Sequence, residues 1–284
     1  LEELARLENE QACGGKSGQT GVADGSETDG SSVASDREGQ SNGGIETRPG
    51  DSQNETGDTA NSSGIGDFTA SLPEKQRTYN WSELTSYDAL VREFYAIDPA
   101  TADETQLNQK ALLGRVLSVQ KRTDDQPQIL IYHTHSQETF ADSIPGNAQT
   151  GIMGVGEVLA EILRKQYGYN VMHHMGQYDV GDRDHAYANA EGPIEQLLAE
   201  NPSIEVVIDL HRDAVDKHMV REVNGVQMAP IMFFNGLSRT KALGDISYLN
   251  NPNLTGNLAF SLQMQIAAAE YYPNLTRPIY LKGY

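Results

Sequence analysis

The sequence predicts an α/β fold, a mostly parallel sheet with helices on both faces. Three observations carry this. Residues 129–132 (ILIY) and 204–210 are apolar without alternation, as strands covered on both faces must be. The segments between and after them place apolar residues at helical spacing. The order strand, helix, strand, helix, strand then calls for parallel pairing.

Taken in order, residues 1–10 (LEELARLENE) read as a helix remnant or a charged stub. Residues 11–76 are mainly Gly, Ser, Asp, Asn, Thr and Glu, and such a segment cannot bury enough apolar surface to offset its ordering entropy. It is expected to be a disordered tether, with an end-to-end distance of roughly 40 Å. Residues 77–127 form an expected helical preamble. Ser86 is a good N-cap for YDALVREFYAI, which Asp98-Pro99 should stop, and a second helix is expected over 104–118.

The main domain is expected over 128–284. Residues 154–167 predict a helix with Gly168 just past its end, and 169–172 a strand. Residues 185–200 predict a helix in spite of Gly192-Pro193. Residues 219–234 suggest a hairpin turning at Asn224-Gly225. Residues 254–271 predict a helix ended by Pro273, and 279–281 begin another strand. Both ends of the chain, Leu1 and Tyr284, are expected to be cuts.

Hydrophobic residues make up 38% of the 284-residue chain, and the deficit sits in the first seventy or so residues. The net charge is −19, about ten of it within the first 75 residues. So acidic a chain should be repelled by nucleic acid and anionic lipid. Cys13 is the single cysteine, which rules out an internal disulfide. No run of about 18 apolar residues marks a membrane span.

Two segments carry the chemistry. Tyr132-His133-Thr134-His135-Ser136-Gln137-Glu138 follows the first buried strand, and Asp209-Leu210-His211-Arg212-Asp213 ends the second. Ligands in parallel α/β sheets bind off the carboxyl ends of the strands, where these histidines would meet. His135 and Glu138, as His-x-x-Glu, with His211 as third ligand, would leave an open position on zinc for water. Alternatively His133 and His135, two apart and so on one strand face, bind with His211, and Glu138 is the general base. The first assignment is favoured. Other metals accept similar donors.

Arg212 could hold a substrate carboxylate or steady an oxyanion, or could simply pair with Asp209 or Asp213. His173, His174, His185 and His218 read as exposed. Gly151, Gly154 and Gly156 lack the frame and the lysine of a nucleotide site.

ILIYHTHSQETF followed by VVIDLHRDAV resembles the stage II sporulation protein P family, as do FYAIDPATADETQL and NLTRPIYLKGY. The resemblance covers about residues 79–284. It implies a three-layer α/β/α fold like that of the zinc N-acetylmuramoyl-L-alanine amidases, with one zinc ion. The implied activity is peptidoglycan hydrolysis, both amidase and peptide cross-link endopeptidase. The implied setting is forespore engulfment, between the forespore and mother-cell membranes. There the protein would be anchored by an N-terminal membrane helix and work beside stage II sporulation proteins D and M.

By position His135 and His211 match the zinc histidines, and Glu138 the acid of the first motif. The zinc amidases place a catalytic glutamate on a late strand. The sequence stops before any such segment, so the 284-residue chain is expected to hydrolyse slowly or not at all, and a longer chain to recover activity. Two other readings remain: a zinc carboxypeptidase with Arg212 on the terminal carboxylate, and a peptidoglycan-binding scaffold without turnover.

Overall fold

The computed structural model describes residues 72–101, 105–215 and 217–283. The expected stub at 1–10 and the expected tether up to residue 71 lie outside them. The described residues form a mixed α/β structure with two three-stranded parallel sheets and two antiparallel two-stranded ribbons.

In the first part of the chain, Ser86 caps helix α1 (Tyr87–Phe94), its hydroxyl accepting from Ala89 N–H at 3.2 Å. The helix stops at Phe94, and the next three residues form strand β1 (Tyr95–Ile97) rather than another helical turn. Asn108 caps the short helix α2 (Gln109–Leu113) in the same way. α2 covers only the middle of the helix expected over 104–118.

Strand β2 (Ile129–Tyr132) is followed by helix α3 (Ile152–Lys165), strand β3 (Val171–His173), helix α4 (Ala186–Glu200) and strand β4 (Val206–Asp209). The sheet order is β3-β2-β4, and β2 pairs with β4 in the register Ile129↔Val206 to Tyr132↔Asp209. Ile129 and Ile131 pack with Ala160 of α3, whereas Leu130 packs with Ala190 and Ile194 of α4. Successive residues of β2 thus serve opposite helices, which is why the strand shows no polar alternation. Pro193 lies within α4. Pro193 and Asn189, whose carbonyl it leaves without a donor, are both exposed, so water can satisfy that carbonyl.

A hairpin of β5 (Arg221–Val223) and β6 (Val226–Met228) follows. It turns at Asn224 and Gly225, with φ of 49° and 82°, the left-handed pair that a two-residue turn requires. Strand β7 (Phe234–Gly236) and a small ribbon of β8 (Arg239–Thr240) and β9 (Gly244–Asp245) precede helix α5 (Leu254–Tyr271) and strand β10 (Ile279–Lys282). The second sheet has the order β1-β10-β7. Its core joins Phe94, Leu112, Leu258, Leu262, Ile279 and Leu281. The backbone N–H groups of Gln76 and Arg77 both donate to Glu270 O at the end of α5.

The parallel strands therefore divide into two sheets, with no ladder between β4 and β7 among the described residues. No described helix is long and apolar enough to cross a membrane.

α3 approaches the first sheet through Gly156. A β-carbon there would lie 2.6 Å from His133 Nε2 and 2.7 Å from His173 Nε2, so only glycine fits. Glycine to alanine inside a helix ordinarily stabilises by up to about 1 kcal/mol. Gly156→Ala should instead lower unfolding stability by about 1–3 kcal/mol through overpacking, read from urea midpoints. In the same assay Phe94→Ala should cost about 3–5 kcal/mol, while Val226→Ala on the exposed hairpin stays within about 0.5 kcal/mol. Equal effects of the last two would show that residues 72–101 lie outside the core.

Candidate functional site

The pairing of β2 with β4 brings their carboxyl ends side by side, and Asp209 ties those ends together. Its carboxylate accepts from Thr134 N–H at 3.0 Å and from Thr134 O–H at 2.6 Å. It also stands 2.8 Å from His211 Nε2, a close ion-pair contact too bent to be a ring N–H hydrogen bond. Burial works to raise the Asp209 carboxyl, but His211 and the two Thr134 donors hold it below the ordinary aspartate range.

His135 and His211 meet across this junction with ring centroids 5.5 Å apart. Tyr187, from the first turn of α4, stacks on His211 and meets His135 edge-on. Glu138 is only 7% exposed. Its Oε2 accepts from the backbone N–H of Arg212 at 2.5 Å and lies 3.9 Å from His211 Nδ1. Its carbonyl accepts from Ile152 N–H at the start of α3. The segment after β4 and the start of α3 thus hold Glu138 between them.

The electrostatics differ from one group to the next. Burial, then the positive charge of Arg183 and His211, pushes His135 down to about 4, which leaves its imidazole neutral with a lone pair to give. Burial works against a charged His211, yet the carboxylates of Asp209 and Glu138 outweigh it and raise its pKa. Burial raises Glu138, opposed by the Arg212 N–H, His211 and Arg183.

His133 does not join this group. It is fully buried on the α3 side, with Nδ1 2.8 Å from Leu210 O and Nε2 2.9 Å from His173 Nε2. His173, expected to be exposed, has a side chain only 1% exposed, and its Nδ1 lies 2.7 Å from Glu157 Oε2. The Leu210 carbonyl and the Glu157 carboxylate are acceptors, so both Nδ1 atoms donate. His174 also has a partner, with Nε2 2.7 Å from Tyr178 Oη.

Arg212 serves through its backbone. Its side chain reaches back to Asp213 O at 3.4 Å, and its Nε is buried without a partner. Neither expected carboxylate partner is available, since Asp209 holds Thr134 and His211 while Asp213 pairs with Arg277 at 2.5 Å. The guanidinium that faces the crevice is Arg183, 3.6 Å from Glu138 Oε1 and 3.9 Å from Asp179 Oδ2. Asp179 is 2% exposed and accepts from Ser136 O–H at 2.6 Å and Gln137 N–H at 3.1 Å, so it steadies the loop between His135 and Glu138. Arg183 and Asp179 come from a stretch without periodicity and Tyr187 from the first turn of the helix expected over 185–200, and no local sequence signal marked any of them as a site residue.

Among the described residues no three His, Cys, Asp or Glu side chains stand arranged to enclose a metal ion. The donor types in the crevice nevertheless suit zinc. His135 Nδ1 is buried without a hydrogen bond, His211 has its Nδ1 on the Glu138 side and its Nε2 against Asp209, and Glu138 presents a buried carboxylate. A nitrogen and an oxygen on one tetrahedral zinc stand roughly 3.4 Å apart. The 3.9 Å between His211 Nδ1 and Glu138 Oε2 lies about half an ångström outside that span.

A family model described as Stage II sporulation protein P (SpoIIP) matches residues 30–284. Neither a curated protein nor a solved structure matches the chain. With the match spanning most of the sequence, and both strand-end histidine segments within it, the chain belongs to the stage II sporulation protein P family.

Proposed function

We propose that the chain is a zinc-dependent peptidoglycan hydrolase. It would cleave the amide between muramic acid and the stem peptide, and peptide cross-links as well. The observation that carries this is the meeting of His135, Glu138 and His211 at the shared end of two paired parallel strands, of which only β2 is buried; β4 is an edge strand with Val207 exposed. Family membership gives the coarser frame of sporulation and engulfment.

His135, Glu138 and His211 would hold the ion, with a neutral imidazole supplied by His135. The chemistry zinc supplies when bound is acidification of a water and polarisation of the scissile carbonyl. The rest falls to the protein. Asp209 orients the His211 ring, as carboxylates commonly do for metal-bound histidines. The Arg212 N–H fixes the Glu138 carboxylate, and Tyr187 walls one side of the crevice. In the cell the chain would act in the space between forespore and mother-cell membranes. It would be tethered by an N-terminal anchor and work with stage II sporulation proteins D and M.

Elemental mass spectrometry of the purified chain should find close to one zinc per chain, and His135→Ala and His211→Ala should lose it. On purified peptidoglycan, the protein should release stem peptides whose masses mark cleavage at muramic acid, with turnover falling by at least about a thousandfold in either variant. Zinc content unchanged in both variants would sink the ligand assignment. Wall binding without turnover would favour the scaffold. Release of single residues would favour the carboxypeptidase.

A further inference from the structure

Arg183 sits in the 3-10 turn Arg183–His185, just before α4, with its side chain 59% exposed. The two carboxylates nearest to it hold it at a distance. Its Nη2 is 3.6 Å from Glu138 Oε1 and its Nη1 3.9 Å from Asp179 Oδ2, both beyond hydrogen-bonding range. Those carboxylates have closer donors of their own. Asp179 takes Ser136 O–H and Gln137 N–H, and Glu138 takes Arg212 N–H. Among the described residues no hydrogen bond takes up the five N–H donors of Arg183. The guanidinium is therefore placed by charge and left with its hydrogen-bonding capacity open.

Apart from the proposed metal, carboxylates dominate the crevice beside it. Glu138, Asp179 and Asp209 all face it, and the chain as a whole carries a net charge of −19. A substrate carboxylate that enters beside the proposed metal would meet these carboxylates, and Arg183 is the exposed guanidinium standing next to two of them. Arg212 cannot serve, since its Nε is buried and its Nη1 is turned to Asp213 O. Arg183 is the guanidinium that lies next to Glu138 and close enough to His135 to depress its pKa.

We infer that Arg183 is a specificity-determining residue that binds a free carboxylate on the substrate, carried by a residue next to the amide to be cleaved. The inference rests on the hydrolase reading and deepens it. The ligand class is a peptide with an ionised carboxyl group near the scissile bond, and amidation of that carboxyl should remove the recognition. The planar fork of arginine takes a carboxylate through two parallel hydrogen bonds, which lysine cannot reproduce.

The test is equilibrium binding by calorimetry, with zinc supplied, to the whole chain. The probes are a synthetic stem tetrapeptide with free carboxylates and the same peptide fully amidated. The wild-type chain should bind the acid about tenfold to a hundredfold more tightly than the amide. Arg183→Gln should erase the difference by weakening the acid alone. Arg183→Lys should keep only a small part of it, and also reports should the Gln variant fail to fold.

An acid-to-amide ratio unchanged in Arg183→Gln would overturn the inference. It would leave Arg183 as a counter-charge for Glu138 and Asp179 and leave the hydrolase reading standing. A wild-type chain that binds neither peptide overturns both.

Discussion

The site depends on one carboxylate at the end of one strand. Asp209 is paired with Tyr132 in the sheet register, and its side chain reaches across to both donors of Thr134. That contact continues the β2–β4 pairing past the last ladder residue and sets the path of the chain that carries His135. The same carboxylate stands against His211. A carboxylate taken out of water must be repaid by donors, and here the donors are the groups whose positions matter. Stability and site geometry are thus served by the same contacts.

The charge balance around this junction favours a cation at its centre. Glu138, Asp179 and Asp209 surround two imidazoles, of which one is pushed strongly toward neutrality and the other toward its charged form. The difference follows from their neighbours. His211 lies between Asp209 and Glu138, whereas His135 has Asp179 Oδ2 only at 3.9 Å and feels Arg183. A site of this kind offers one nitrogen ready to donate and a carboxylate pair that rewards positive charge nearby. That character is compatible with the zinc site proposed above, and it arises from chain topology rather than from adjacent residues.

Much of the fold was legible in the sequence because its signals are local. The strand expected at 129–132 is β2, the one expected at 204–210 is the shorter β4 (Val206–Asp209), and α5 runs from Leu254 to Tyr271 as its composition suggests. The Asn224-Gly225 turn was fixed by its demand for positive φ. β1 was hidden because its cause is remote. Tyr95–Ile97 continues the apolar spacing of α1, and only its partner strand Ile279–Lys282, far along the chain, draws it into a sheet. The division into two sheets was hidden for the same reason. At the site, the two histidine segments were legible as strand ends, but Asp179, Arg183 and Tyr187 arrive from a loop and a helix start where no local signal marks them as site residues.

The position of His133 shows why spacing alone could not assign ligands. The rule that residues two apart share a face holds only within a strand, and β2 ends at Tyr132. Past that point the chain bends toward Asp209, and His133 and His135 separate. His133 turns into the space that Gly156 leaves open, binds the Leu210 carbonyl next to His211, and is held by His173 and Glu157. A β-carbon on α3 would close that space and displace the ring. A glycine on one helix therefore helps decide which histidine of a strand-end motif stays in the core and which is free to face the crevice.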